Sequence, residues 1–192
     1  DELMNKFLAT QLLNHRPFDL SDSSMVLLHP DGHKEHFAAA KLRGTLTTKG
    51  KLDFQVLDKN GNITFDSKRD RVERRNELAD LLDLYRGDET LNKVLQSYNA
   101  AVRDPENEFV HLYEIRDALD KVLDRKLYSV VGVPSIRYRR FGELCCVLPL
   151  RQGRHRGRAS ELRDATPSEL NEAREIARIM IEGYIRYLEK SA

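Results

Sequence analysis

The chain has no tryptophan, and its only two cysteines, Cys145 and Cys146, are neighbours. Adjacent cysteines make a poor structural disulfide, and no third cysteine exists to pair with either, so no disulfide framework holds this fold. A reducing, cytoplasmic setting is the expectation. Long apolar runs are also missing. Ser24-Met25-Val26-Leu27-Leu28 is far too short to cross a bilayer, so no membrane partner is expected. The opening residues lack the basic-then-apolar layout of a signal peptide, and position 1 is not methionine, so the sequence reads as trimmed or as a fragment. There is little net charge of either sign. A formal charge of +1 argues against a protein whose whole surface coats nucleic acid. We find no internal repeat and no low-complexity segment.

What is present is ordinary for a helix-rich globular protein: 40% hydrophobic and 33% charged residues over 192 positions. That length suits one large domain or two small ones. Leu3, Phe7, Leu8, Leu12 and Leu13 fall at helical spacing, so residues 2–14 read as a short amphipathic helix that Pro17 cannot continue. From Ser24 the pattern changes to strands. Met25–Leu28 and His36–Ala38 flank a Pro30-Asp31-Gly32 turn. Lys41–Thr47 and Lys51–Leu57 then alternate apolar with polar, and Asn60-Gly61 marks a hairpin returning through Ile63-Thr64-Phe65.

Beyond Asp66 the apolar spacing becomes helical. Helices are expected over 69–86, from the Asp88 cap through Tyr98, over 105–124, and over 135–148 with Ser135 as N-cap. The last helix carries a capping box: Thr166 caps, Pro167 takes the first helical position, and Glu169 reaches back. The fold class is therefore α+β, with a small N-terminal antiparallel sheet followed by a C-terminal α-helical bundle. The expected division is residues 1–66 and 67–192. The expected core includes Leu112, Leu119, Leu144, Ala173, Ala177, Met180 and Tyr184.

Three stretches carry candidate chemistry. His29, Asp31, His33, Glu35 and His36 are of metal-ligating type. No ordered spacing brings them to one point, so a polar hairpin surface is the better reading and no metal is expected. The second stretch, Leu127–Leu144, has the outline of a helix-turn-helix, with Arg137, Tyr138, Arg139 and Arg140 on its second helix. Solvated arginines on a plain helical connection are the alternative. The third is "LRQGRHRG", Leu150–Gly157. Here Arg151, Arg154, Arg156 and Arg158 surround His155 in a chain of almost balanced charge. Guanidinium grips phosphate in a bidentate fork. Nearby cations favour a neutral imidazole able to deprotonate a ribose 2′-hydroxyl, and arginine stabilises the charge that builds in the transition state. Gly153 and Gly157 would let the backbone approach the ligand. A flexible basic loop facing acidic surfaces is the alternative.

The order "HLYEIRDALDKVL" (His111–Leu123), "LRQGRHRG" and "TPSELNEAREIARIMIEGYIRYLE" (Thr166–Glu189) resembles the HEPN superfamily over roughly residues 70–190. Those are helical-bundle domains of bacterial defence and toxin systems. Many are metal-independent, dimeric ribonucleases, and others serve only as binding modules. The resemblance implies an RNA or nucleotide partner, no cofactor, and a homodimer. It implies Arg151 and His155 as the catalytic pair, with three residues between them. Arg154 would assist, with Arg156 and Arg158 among the nucleic-acid contacts. Glu114 and Asp117, on the preceding helix, would orient the loop arginines or the histidine. The competing function is a non-enzymatic DNA- or protein-binding module using Arg137–Arg140. Ile176, Ile179, Ile181 and Ile185 widen the apolar face of the last helix past the roughly 100° that one stripe needs. They require either a central place in the chain's own core or a second chain.

Overall fold

The computed structural model describes residues 2–17, 24–28, 34–38, 53–124, 126–158 and 161–191. The chain is mostly helical and broadly α+β. Its elements are α1 (Glu2–Asn14), β1 (Ser24–Leu28), β2 (Lys34–Ala38), β3 (Gln55–Leu57), β4 (Ile63–Asp66), α2 (Ser67–Leu84), α3 (Glu89–Arg103), α4 (Glu108–Val122), α5 (Leu127–Val130), α6 (Ser135–Gly142) and α7 (Pro167–Ser191). It divides into two compact units, Phe18–Asp70 and Asp1–Pro17 with Arg71–Ala192.

In the first unit β1 pairs antiparallel with β2 and β3 with β4, as two separate two-stranded sheets. The second hairpin turns at Asn60-Gly61 as expected. Gly61 adopts a left-handed φ of 82°, and the Asp58 carboxylate accepts from the backbone N–H of Asn60 and Asn62. His36 lies in β2. His29, Asp31 and His33 of the histidine-rich stretch, and the strand expected at Lys41–Thr47, fall outside the described residues. Among those described, no group of three metal-ligating side chains is found.

The helical unit differs from the division expected at residue 66, because α1 packs with the helices. Leu12 is buried, its carbonyl accepts from the Tyr98 hydroxyl at 3.2 Å, and Gln11 Nε2 donates to Asn99 Oδ1 at 2.9 Å. An apolar stripe must find a partner surface, and that surface need not be its neighbour in sequence. Phe109, Leu112, Ile115 and Leu119 of α4 are fully buried, as are Leu144, Ala173, Ala177 and Met180. Burying a large apolar side chain contributes about 1.5–3 kcal/mol. α7 meets α3, α4, α5 and α6. Ile176, Ile181 and Ile185 are thereby buried within the chain itself, which removes the need for a second chain to cover them. Gly183 permits the closest approach: a Cβ there would lie 2.3 Å from the Val131 carbonyl oxygen.

Local signals decide the helix ends. Asp88 accepts from Leu91 N at 2.6 Å. Thr166 Oγ1 accepts from Glu169 N at 3.2 Å while Glu169 Oε2 accepts from Thr166 N at 2.9 Å, a complete capping box. Ser135, by contrast, begins α6 without capping it, and Pro134 holds the cap position.

Candidate functional site

The basic loop is built from an interruption that proline forces. α6 does not continue as an α-helix to Leu148. Glu143–Val147 form a π-helical turn in which Leu148 N donates to Glu143 O at 2.9 Å. In an α-helix Cys145 O would accept from residue 149, but Pro149 has no N–H. Instead Cys145 O accepts from Arg154 N at 2.8 Å, so the loop folds back under the helix end. Gly153 makes this turn possible. It is buried, its N–H donates to Leu150 O at 3.0 Å, and a Cβ there would lie only 3.1 Å from that oxygen. It therefore serves packing and does not present backbone to a ligand. A Cβ on Gly157 would meet open space. Leu150, fully buried, anchors the start of the loop. Arg151 N donates to Arg163 O and Arg163 N to Pro149 O, both at 3.0 Å, and Gln152 Oε1 accepts from Ala165 N at 3.0 Å. The base of the loop is thus closed by main-chain bonds.

From this base the cationic side chains go to different partners. Arg154 Nη1 donates to Asp117 Oδ2 at 2.7 Å, and its guanidinium lies 5.1 Å from the Tyr113 ring centroid. Asp117 therefore holds a loop arginine. Arg156 donates to Asn107 Oδ1. Arg151 Nε lies 3.8 Å from Asp164 Oδ1, with both side chains largely exposed. His155 is exposed. The side chain of Arg158 falls outside the described residues. Glu114 turns the other way: it accepts from Ser97 Oγ at 3.1 Å and lies 3.6 Å from His111 Nδ1, so it does not orient the loop. A cavity of about 360 Å³ lies beside the loop, lined by Glu106, Arg151, Gln152, Arg156, Leu162 and Asp164. The two cysteines nearby are free thiols, and burial pushes both up from their ordinary values, Cys145 strongly.

Two of the three arginines of α6 are held in ion pairs with α7. Arg137 pairs with Glu175 at 3.0 Å, and Arg140 with Glu172 at 3.4 Å and Glu143 at 3.3 Å. The Tyr138 hydroxyl donates to Asp120 at 2.6 Å and accepts from Arg116, whose guanidinium stacks on the Tyr138 ring. Arg139 is exposed and lies 3.8 Å from Glu143.

The sequence reasoning missed a second cluster, where α1 ends against α4 and α7. Glu108 is 1% exposed, and both its oxygens accept from Arg174, at 2.6 and 2.7 Å. Burial pushes its carboxyl up, but hydrogen bonds from Arg174 and His15 outweigh burial and hold it below the usual range. His15 Nε2 lies 3.3 Å from Glu108, and its Nδ1 lies 3.2 Å from the Tyr98 hydroxyl. His15 has a left-handed φ of 49°, a conformation that costs a non-glycine residue and persists where the surroundings enforce it. One signal was legible. Glu108 falls in register with Leu112, Ile115 and Leu119, so an acid stands on the buried stripe and demands a cation from elsewhere. No family model, curated protein or solved structure matches this chain.

Proposed function

We propose that the helical unit is a HEPN-like bundle that binds RNA or a nucleotide through the Arg151–Gly157 loop, and that it cleaves RNA there. The observation that carries this reading is a loop fixed at its base whose polar tips stay exposed. Main-chain bonds at Arg151, Gly153 and Arg154 set the backbone, while the side chains of Arg151, Arg154 and His155 remain open to a ligand. Fixing the backbone before binding lowers the ordering cost of association. Arg151, paired only at 3.8 Å, exchanges a loose surface contact for a phosphate. Arg154 adds a second cation, and His155 acts as general base or acid at the ribose 2′-hydroxyl. The charge that develops on the phosphorus oxygens is then stabilised by the guanidiniums.

Purified protein should degrade single-stranded RNA in the presence of EDTA and should cease to do so as His155→Ala. Intact RNA after incubation with the unaltered protein removes the catalytic part of the reading. Arg151→Ala should weaken RNA binding and lower the salt slope of the binding constant by about 0.7, the increment for one neutralised phosphate on a single strand. An unchanged affinity and slope remove the binding part. The alternative, a DNA- or protein-binding module using Arg137–Arg140, is disfavoured because Arg137 and Arg140, at 31% and 35% exposed, are less open to a partner than Arg151 at 63% and Arg154 at 43%. A gel shift that responds to Arg137→Ala/Arg140→Ala and not to Arg151→Ala would reverse that preference.

A further inference from the structure

We propose a second ligand site in the helical unit: a phosphomonoester site in the cavity between the end of α1 and the face of α7, with Arg16, Arg174 and Arg178 as its cationic wall. The cavity measures about 360 Å³, and its lining includes His15, Tyr98 and Asn171 beside those three arginines. It shares no residue with the cavity beside the basic loop.

Three observations carry the assignment. Charge is the first. The acid in the cavity wall is Glu175, and Arg137 already holds it at 3.0 Å. Across the wall and the ion pairs linked to it, Arg16, Arg74, Arg137, Arg174 and Arg178 stand against Glu108, Glu175 and Glu182, so positive charge exceeds negative before His15 is considered. A doubly charged phosphate monoester matches this excess better than a single carboxylate. The second observation is a loosely held cation. Arg178 lines the cavity with a side chain that is 29% exposed, and its nearest carboxylate oxygen, Glu182 Oε1, lies 3.5 Å from its buried Nε without a hydrogen bond. A guanidinium held this loosely can turn its exposed N–H groups to a ligand oxygen. Arg16, at the exposed rim, has no ion-pair partner among the described residues. The third is rigidity. Glu108 holds Arg174 in a fork, and His15 is kept in its left-handed conformation between Glu108 and Tyr98. The wall is therefore fixed before any ligand arrives, which lowers the ordering cost of binding.

Titration calorimetry with inorganic phosphate and with AMP, at constant ionic strength, tests the site. The full chain should bind AMP, with phosphate competing for the same site. Arg178→Ala and Arg16→Ala should each weaken binding about tenfold, the change expected for one charge-assisted hydrogen bond. Both residues lie outside the Glu108–Arg174 fork, and circular dichroism confirms that each variant is folded. Should Arg178→Ala not fold, Arg16→Ala carries the test alone, because Arg16 is exposed. Arg151→Ala should leave AMP binding here unchanged. Absence of binding, or binding that survives both Arg16→Ala and Arg178→Ala, overturns the proposal. AMP binding that is lost on Arg151→Ala and unchanged on Arg16→Ala instead overturns it by assigning the nucleotide to the basic loop alone.

Discussion

Two arginine–carboxylate pairs of nearly equal length sit in the helical unit, and their settings could hardly differ more. Arg174 grips Glu108 at 2.6 and 2.7 Å, where the acid is 1% exposed. Arg154 reaches Asp117 at 2.7 Å, where the acid is 49% exposed. Bond length does not separate them. Solvent does. At the buried pair, losing one partner strands a charge away from water, whereas at the surface pair water replaces whichever partner is removed. The first arrangement fastens α4 to α7. The second leaves a cation free to change partners.

The largest expected effect follows from stranding the buried acid. Arg174→Ala should cost about 3–5 kcal/mol, read by denaturant unfolding, because Glu108 keeps only His15. A cost below that of any surface pair would break the comparison. Next comes Gly183→Ala, which tests the interior by crowding it. The added methyl group must displace the Val131 backbone, so stability should fall by about 1–3 kcal/mol.

A third pair, Arg163–Glu169, lies between the extremes and sharpens the gradient. Glu169, 13% exposed, accepts from both Arg163 Nη atoms and from the Thr166 N–H and hydroxyl. The Arg163 guanidinium pulls its carboxyl down to about 2, with the Thr166 bonds adding to the shift. Because the folded value is depressed, this contribution is complete above the ordinary value of about 4.5. It fades as pH falls from there through about 2. Thr166→Ala should cost about 1 kcal/mol by removing the reciprocal cap. Glu169→Gln should flatten the acid limb of a stability–pH curve, and an unchanged limb would place the acid sensitivity elsewhere.

The same contrast explains what was legible in the sequence. The Thr166–Glu169 box, the Asp88 cap and the Asn60-Gly61 turn were readable because each is satisfied within a few residues. The stripe of Leu112 and Leu119 was readable because helical periodicity is local. Five features were not. α1 joins α3 across a long separation in sequence, and the partner of Glu108 lies 66 positions away. Glu114 faces α3, which a spacing argument on one helix cannot decide. The helix through Leu144 ends in a π turn because Pro149 leaves Cys145 O without its usual donor. Proline's missing N–H signals such an ending, yet not which distant N–H will fill the gap. The loop's composition was legible, and its division among Asp117, Asn107 and Asp164 was not.

The smallest stability effect belongs to the surface pair, and it is the most informative. Arg154→Ala should change unfolding free energy by no more than about 1 kcal/mol, because Asp117 regains water when the guanidinium leaves. Removing the guanidinium from the Tyr113 ring adds an effect within the same range, since that cation–π geometry is only partly shielded. RNA affinity, in the reading proposed for the loop, should nevertheless fall about tenfold, because a phosphate ligand then has no cation at this position. Asp117→Ala supplies the counterpart. It removes the acid that competes with phosphate for Arg154, so stability should again move little, while RNA affinity holds or rises. If Arg154→Ala and Asp117→Ala both lower stability by several kcal/mol and leave RNA binding unchanged, the loop is a fastener like the Glu108 pair. The difference in solvent exposure would then have misled. If binding alone responds, and with opposite sign in the two variants, the exposed pair is a resting arrangement that the ligand displaces.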